Sequence, residues 1–221
     1  MGKSIAIDGP AGAGKSTIAK RVAKRLGYIY VDTGAMYRAM ALYLIREGID
    51  RDDTPGIERA CENADISISY EDGVQKVLLM GENVNDQLRT EEVGNMASMS
   101  SVNPKVRKKL VALQQKLAAE KDVVMDGRDI GTVVLPDSRC KIYLTASSAV
   151  RAKRRYDELT AKGESCDISK IEADIIERDN RDMTREHSPL KQAEDAILID
   201  SSDMTIEQVE DAILKIAGEK L

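Results

Sequence analysis

Short apolar runs alternate with amphipathic stretches along most of the chain. The runs are residues 5–7, 28–32, 123–125, 141–144 and 196–200. Runs this short, bounded by polar or turn-forming residues, read as strands buried on both faces. Between them the apolar positions recur at helical spacing. Ile18, Ala19, Val22, Ala23 and Leu26 share one face of a helix over 15–26, which Gly27 stops. Met36, Ala39, Met40, Tyr43 and Leu44 do the same over 36–48. Thr90, followed by Glu91 and Glu92, fits the N-cap of a further helix. Asn103-Pro104 breaks the chain before a long helix striped by Val106, Leu110, Leu113 and Leu117, which at this length means core packing rather than a coiled-coil seam. A basic helix with Arg151, Lys153, Arg154 and Arg155 follows the fourth run and breaks at Gly163. Asp167 opens another helix, predicted to run through Arg178, Arg181, Asp182 and Arg185. The last helix, 205–217, starts on the capping box Thr205-x-x-Gln208. Five strands alternating with helices predict a five-stranded parallel sheet in a three-layer α/β fold.

Residues 50–94 break this rhythm. Residues 66–70 alternate, Glu71-Asp72-Gly73 turns, and 77–80 answer, which predicts a β-hairpin. Gly81, Glu82 and Asn83 turn toward a third short strand at Val84. An antiparallel piece inside a strand–helix alternation predicts an inserted subdomain.

Composition narrows the function classes. With 221 residues, 42% of them hydrophobic, the chain suits one α/β domain with a smaller insertion. A formal net charge of −5 argues against general affinity for nucleic acid or membrane surfaces. With no Phe or Trp and only 7 Tyr, no aromatic platform for single-stranded nucleic acid is evident. Cys61, Cys140 and Cys166 form no CxxC pair, so neither a zinc site nor a disulfide framework is expected, and a reducing cytoplasm is. No leader or membrane-spanning run is read from the sequence. His187, the only histidine, reads as a loop residue and excludes mechanisms that need two.

The chemistry starts after the first run. Gly9 to Ser16 fits G-x-x-x-x-G-K-[ST], the phosphate-binding P-loop, between a strand and a helix. Gly9, Gly12 and Gly14 clear Cβ atoms from the path of a triphosphate. The loop N–H groups then form an anion nest at a helix start, Lys15 adds a point charge, and the Ser16 hydroxyl suits Mg²⁺. The competing reading, a glycine-rich turn that matches by chance, is disfavoured by the flanking strand and helix.

In parallel sheets ligands collect at the carboxyl ends of the strands. Asp126 has the position of a Walker-B carboxylate and is a candidate Mg²⁺ ligand, against the plainer reading of a turn aspartate. Arg38, Arg128, Arg178, Arg181 and Arg185 lie near strand ends or on one helix, the last three at spacings that share a face. Arginine clamps planar, multi-oxygen anions, so a P-loop with many arginines suggests two phosphorylated substrates. The alternative is surface pairing with Glu177, Asp179, Asp182 and Glu186.

Four ordered motifs now carry a resemblance. Asp8-Gly-Pro-x-x-x-Gly-Lys-Ser-Thr17, Asp32-Thr-Gly-Ala-Met-Tyr-Arg38, Asp126-Gly-Arg-Asp-Ile-Gly-Thr-Val-Val134 and Glu177-Arg-Asp-x-Arg-Asp182 resemble those of bacterial cytidylate kinases over essentially the whole chain. The resemblance implies a P-loop NTPase fold whose antiparallel insert is a monophosphate-binding subdomain, with a short lid. It divides the chain into a core (about 1–32, 95–150 and 186–221), a monophosphate-binding region (33–94), a lid (151–167) and an arginine-bearing helix (168–185). It implies ATP-dependent phosphorylation of CMP and dCMP with Mg²⁺ by a cytoplasmic monomer. ATP would lie on Gly9, Pro10, Ala11, Gly12, Ala13, Gly14, Lys15, Ser16 and Thr17, with Ser16 and Asp126 as metal ligands. Arg38, Arg128 and Arg185 would contact the CMP phosphate, with Thr33 beside them. Ser98, Arg107 and Asp129 would read cytosine, and Arg178 and Asp182 would lie near the ribose. Lys15, Arg128, Arg154, Arg181 and Arg185 would surround the transferring phosphate.

Overall fold

The structure, a computed structural model, describes residues 2–221. In chain order, β1 (Ser4–Asp8), α1 (Lys15–Leu26), β2 (Ile29–Asp32) and α2 (Thr33–Arg46) come first. α3 (Thr54–Asn63), β3 (Ile66–Glu71), β4 (Val74–Leu79), β5 (Glu82–Asn83) and α4 (Glu91–Ser100) follow. Then come α5 (Pro104–Glu120), β6 (Val123–Gly127), a π-helical turn over Ile130–Val134, and β7 (Cys140–Thr145). α6 (Ser148–Ala161), α7 (Ile168–Thr184), β8 (Ile197–Asp200) and α8 (Ile206–Lys220) complete the chain.

The main sheet is parallel, in the order β2-β6-β1-β7-β8. Alternate side chains of one strand face opposite layers. Ile5 and Ile7 of β1 pack with Ile18 and Val22 of α1 and Ile213 of α8. Ala6 between them faces Met36 and Met40 of α2 and Leu110 of α5. Both faces are covered, which is why the strands read as unbroken apolar runs. With β1 central, its carboxyl end lies between those of β6 and β7, and the loops after all three converge. Among the described residues no helix is long and apolar enough to cross a membrane.

The insert is a second, antiparallel sheet, β3-β4-β5. Asp72 and Gly73 both have positive φ, as a two-residue hairpin turn requires. Met80 and Gly81 repeat that turn, so the third strand begins at Glu82, two residues before the expected Val84. Val84 is instead wholly buried in the core.

Two other elements differ from the sequence reading. α3 lies where only an insert was expected. Asp53 caps it by accepting from the Gly56 N–H, and Pro55 sits in its first turn. α7 stops at Thr184, so Arg185 is not on the helical face of Arg178 and Arg181. Its backbone is extended, φ −63° and ψ 142°, and Arg185 Nε donates to Ser188 O at 2.6 Å.

Candidate active site

The P-loop leaves the end of β1 against β7. A Cβ on Gly9 would lie 1.9 Å from the Leu144 carbonyl oxygen, so only glycine fits. Gly14 caps α1 with φ 86°, a left-handed conformation. Lys15 is buried and its Nζ donates to Pro10 O at 2.6 Å across the loop. Burial, and after it the nearby Arg128, lowers the Lys15 pKa well below the usual lysine range.

Ser16 Oγ donates to Asp126 Oδ2 and Tyr30 Oη donates to Asp126 Oδ1, both at 2.8 Å. Thr33 Oγ1 donates to the Asp126 carbonyl at 2.7 Å. Burial and the neighbouring Asp32 raise the Asp126 carboxyl. A carboxylate and a hydroxyl side by side are hard oxygen donors and fit Mg²⁺.

The arginines collect beside this loop. Arg128 Nε donates to Asp182 Oδ2 at 2.8 Å, tying the loop after β6 to α7. Arg107 of α5 donates to Asp129 Oδ2, and both side chains are buried. The other oxygen, Asp129 Oδ1, has Arg185 Nη2 at 3.9 Å. The Arg107 guanidinium lies 5.6 Å from the Tyr37 ring centre.

Several donors here are buried without a hydrogen-bond partner: Arg107 Nε, Arg178 Nε, Arg185 Nη2 and Tyr37 Oη. Burial, then Arg128, pushes the Arg178 pKa down to about 10. Burial, then Arg107, lowers that of Arg185. Unsatisfied buried guanidinium groups are costly unless an anion completes them. Arg185 Nη1 does lie 4.0 Å from Asp182 Oδ1, but that contact is buried, so neither Arg178 nor Arg185 is a solvated surface pair. Arg181 partly is one, since it pairs with Glu177 at 2.8 Å with about a third of its side chain exposed.

Other expected site residues sit farther apart. Ser98 Oγ accepts from Arg181 Nη1 at 3.2 Å, which places it with α7 rather than in the Arg107–Asp129 contact. Arg154 Nη2 donates to Ser201 O at 2.7 Å. It still borders the P-loop, with Nη1 4.0 Å from where a Gly14 Cβ would lie. Arg38, half-buried on α2, is an electrostatic neighbour of Arg178.

Two supporting residues were not singled out in the sequence. Tyr30 orients Asp126. Asp8, on the last residue of β1, accepts from the Ile130 and Gly131 N–H groups at 2.8 and 2.7 Å. It thereby holds the loop that carries Arg128 and Asp129. Asp8 heads the first of the four motifs, but nothing in the sequence marks its contact with the 130–131 backbone, and the only signal for Tyr30 is a polar tip inside an apolar strand.

The family model described as "Cytidylate kinase" matches residues 5–219. A cytidylate kinase of Caldicellulosiruptor saccharolyticus is 52% identical over 213 residues, covering 96% of this chain and 94% of the relative. One of Geobacter sp. (strain M21) is 47% identical over 220 residues, covering 100% of this chain and 94% of the relative. Among solved structures, shikimate kinase from Bacteroides thetaiotaomicron superposes with a TM-score of 0.50 at 12% identity, covering 98% of this chain and 97% of that one. That likeness concerns the fold alone. With a P-loop beside an arginine cluster and these relatives along its whole length, the chain is a kinase and belongs to the cytidylate kinase family.

Proposed function

We propose that this kinase transfers the γ-phosphoryl group of ATP to CMP and dCMP, giving CDP and dCDP. The observation that carries the reading is the set of buried, unpartnered guanidinium donors on Arg107, Arg178 and Arg185. They lie beside a P-loop whose Lys15 is an electrostatic neighbour of Arg128 and Arg178. One anion site is the P-loop; the arginines form a second.

Residues 9–17 bind the ATP phosphates, and Arg38, Arg128 and Arg185 take the acceptor phosphate beside Thr33. A phosphate monoester has a second pKa of about 6, so the acceptor is already ionised at neutral pH and needs no strong base. Alignment and charge neutralisation carry the step, with Lys15, Arg128, Arg154, Arg181 and Arg185 around the transferring group. Ser16 and Asp126 would hold Mg²⁺, which when bound offsets phosphate charge. Arg178 and Asp182 face the ribose. The regions 33–94 and 151–167 close over the two nucleotides and exclude water as a competing acceptor.

Asp129 and Arg107 read the base. Arg107 engages Asp129 Oδ2 and leaves Oδ1 for the exocyclic amine of cytosine. Arg107 donates to a ring acceptor; Ser98, whose Oγ accepts from Arg181 Nη1, keeps its own O–H to donate to the other from the α7 side. Uracil presents a carbonyl where cytosine has that amine, so the carboxylate repels it. The free thiols Cys61, Cys140 and Cys166 accord with a reducing, cytoplasmic location.

Initial rates with ATP against CMP, dCMP, UMP, AMP and shikimate test the reading, for the wild type and Asp129→Ala. CMP and dCMP should be preferred. Loss of one charge-assisted hydrogen bond, about 1.5–3 kcal/mol, should cut the CMP-over-UMP preference by about tenfold or more in the variant. Unchanged selectivity, or preference for shikimate, would overturn it.

A further inference from the structure

Both backbone groups of Ala11, at the tip of the P-loop, are captured from outside the loop. Ala11 N–H donates to Asp179 Oδ1 at 3.1 Å, and Ala11 O accepts from Arg151 Nη1 at 2.7 Å. The captors are themselves paired, Arg151 Nη1 to Asp179 Oδ2 at 2.6 Å, and each is 6% exposed. Arg151 Nε also donates to Ala146 O at 2.9 Å, which fixes its side chain from the start of α6. A Cβ on Gly12 would lie 3.3 Å from the Arg151 Cβ, so α6 stands as close to the loop as a glycine allows.

In a planar trans peptide the C=O and N–H point in opposite directions. Asp179 draws the Ala11 N–H outward, so the Pro10 carbonyl of the same peptide points inward, where Lys15 Nζ donates to it. Arg151 draws the Ala11 carbonyl outward, so the Gly12 N–H points inward as well. The two side chains thus set two consecutive peptide planes of the anion nest from behind.

We infer that Arg151 and Asp179 are positioning residues for the donor nucleotide: a buried ion pair, outside the nest, that orients the P-loop peptides for the triphosphate and seats α6 and α7 on the loop. This rests on the P-loop being the donor site. Arg151 Nε and Nη1 and both Asp179 carboxylate oxygens are engaged within the protein, so these atoms act through Ala11 rather than on substrate.

The test measures KM for ATP and the dissociation constant for CMP without ATP, with melting temperatures, in the wild type, Asp179→Asn and the double variant Arg151→Met/Asp179→Leu. Asp179→Asn should melt lower, because it leaves Arg151 buried without its counter-ion. The apolar pair should recover much of that loss, since well-packed apolar replacements of buried ion pairs are often neutral. In both variants KM for ATP should rise about tenfold or more while the dissociation constant for CMP measured without ATP stays within about twofold. If KM for ATP recovers with the melting temperature in the double variant, or CMP binding without ATP weakens in parallel, the pair is merely structural and the inference fails. Titration with a fluorescent ATP analogue reads the same contrast without turnover, so a failure of CMP phosphorylation in the wild type is distinguishable from a failure of the positioning role.

Discussion

At the scale of single residues, Asp8 ends β1 with both carboxylate oxygens held by backbone N–H groups more than 120 residues away, at Ile130 and Gly131. Burial is the main force on its carboxyl and raises its pKa from 3.8 to about 6, while the two N–H groups pull it back. A folded-state pKa above the unfolded one means the folded chain holds this proton more tightly. The stability that Asp8 contributes is therefore fully present below about pH 3.8 and is lost as pH rises through about 6. In urea titrations between pH 4 and pH 7, the wild type should lose stability relative to Asp8→Asn up to about pH 6 and then hold level. A difference that does not change with pH would contradict the assignment. Residues set by a fixed spacing are legible at this scale: Lys15 and Ser16 stand out from the P-loop pattern and Asp126 from its place after an apolar run. Asp8 opens a motif, but its backbone partners lie too far along the chain for any spacing to mark them.

At the scale of elements, apolar periodicity found every strand of the main sheet and most helices, because burial imposes it. It missed α3, whose start signals were present but sat in a polar stretch, and it overran α7 by the one residue that matters. No periodicity marks where a helix hands Arg185 to a loop. The joint between insert and core was also hidden. Gln75 of β4 is buried, accepts from Asp32 N at 2.8 Å and donates to Asp32 O at 3.2 Å. Its side-chain amide thus continues the outer edge of the main sheet beyond β2. Tyr70 Oη adds a second contact, to Tyr30 O at 3.2 Å. Gln75→Leu would leave both Asp32 backbone groups without their partner and should cost about 1–3 kcal/mol in denaturant titration. A loss near zero would mean that water replaces the amide freely. A glutamine in a strand gives no sequence sign of bonding to another element's backbone.

At the scale of the whole molecule, the order β2-β6-β1-β7-β8 brings the loops after β1 and β6 together. The alternation of strands and helices announced the sheet, but the joining of the two loops through α7 depends on contacts across more than 50 residues. Asp179 holds the loop after β1, and Asp182, one turn further on, holds Arg128 after β6. One helix therefore touches both proposed nucleotide sites. The consequence is thermodynamic: filling either position should alter the affinity of the other, and by the same factor in both directions. Calorimetric dissociation constants for CMP, with and without a non-hydrolysable ATP analogue, should differ by about fivefold or more. Equal constants would mean that α7 bends between Asp179 and Asp182 and that the two nucleotides bind as strangers.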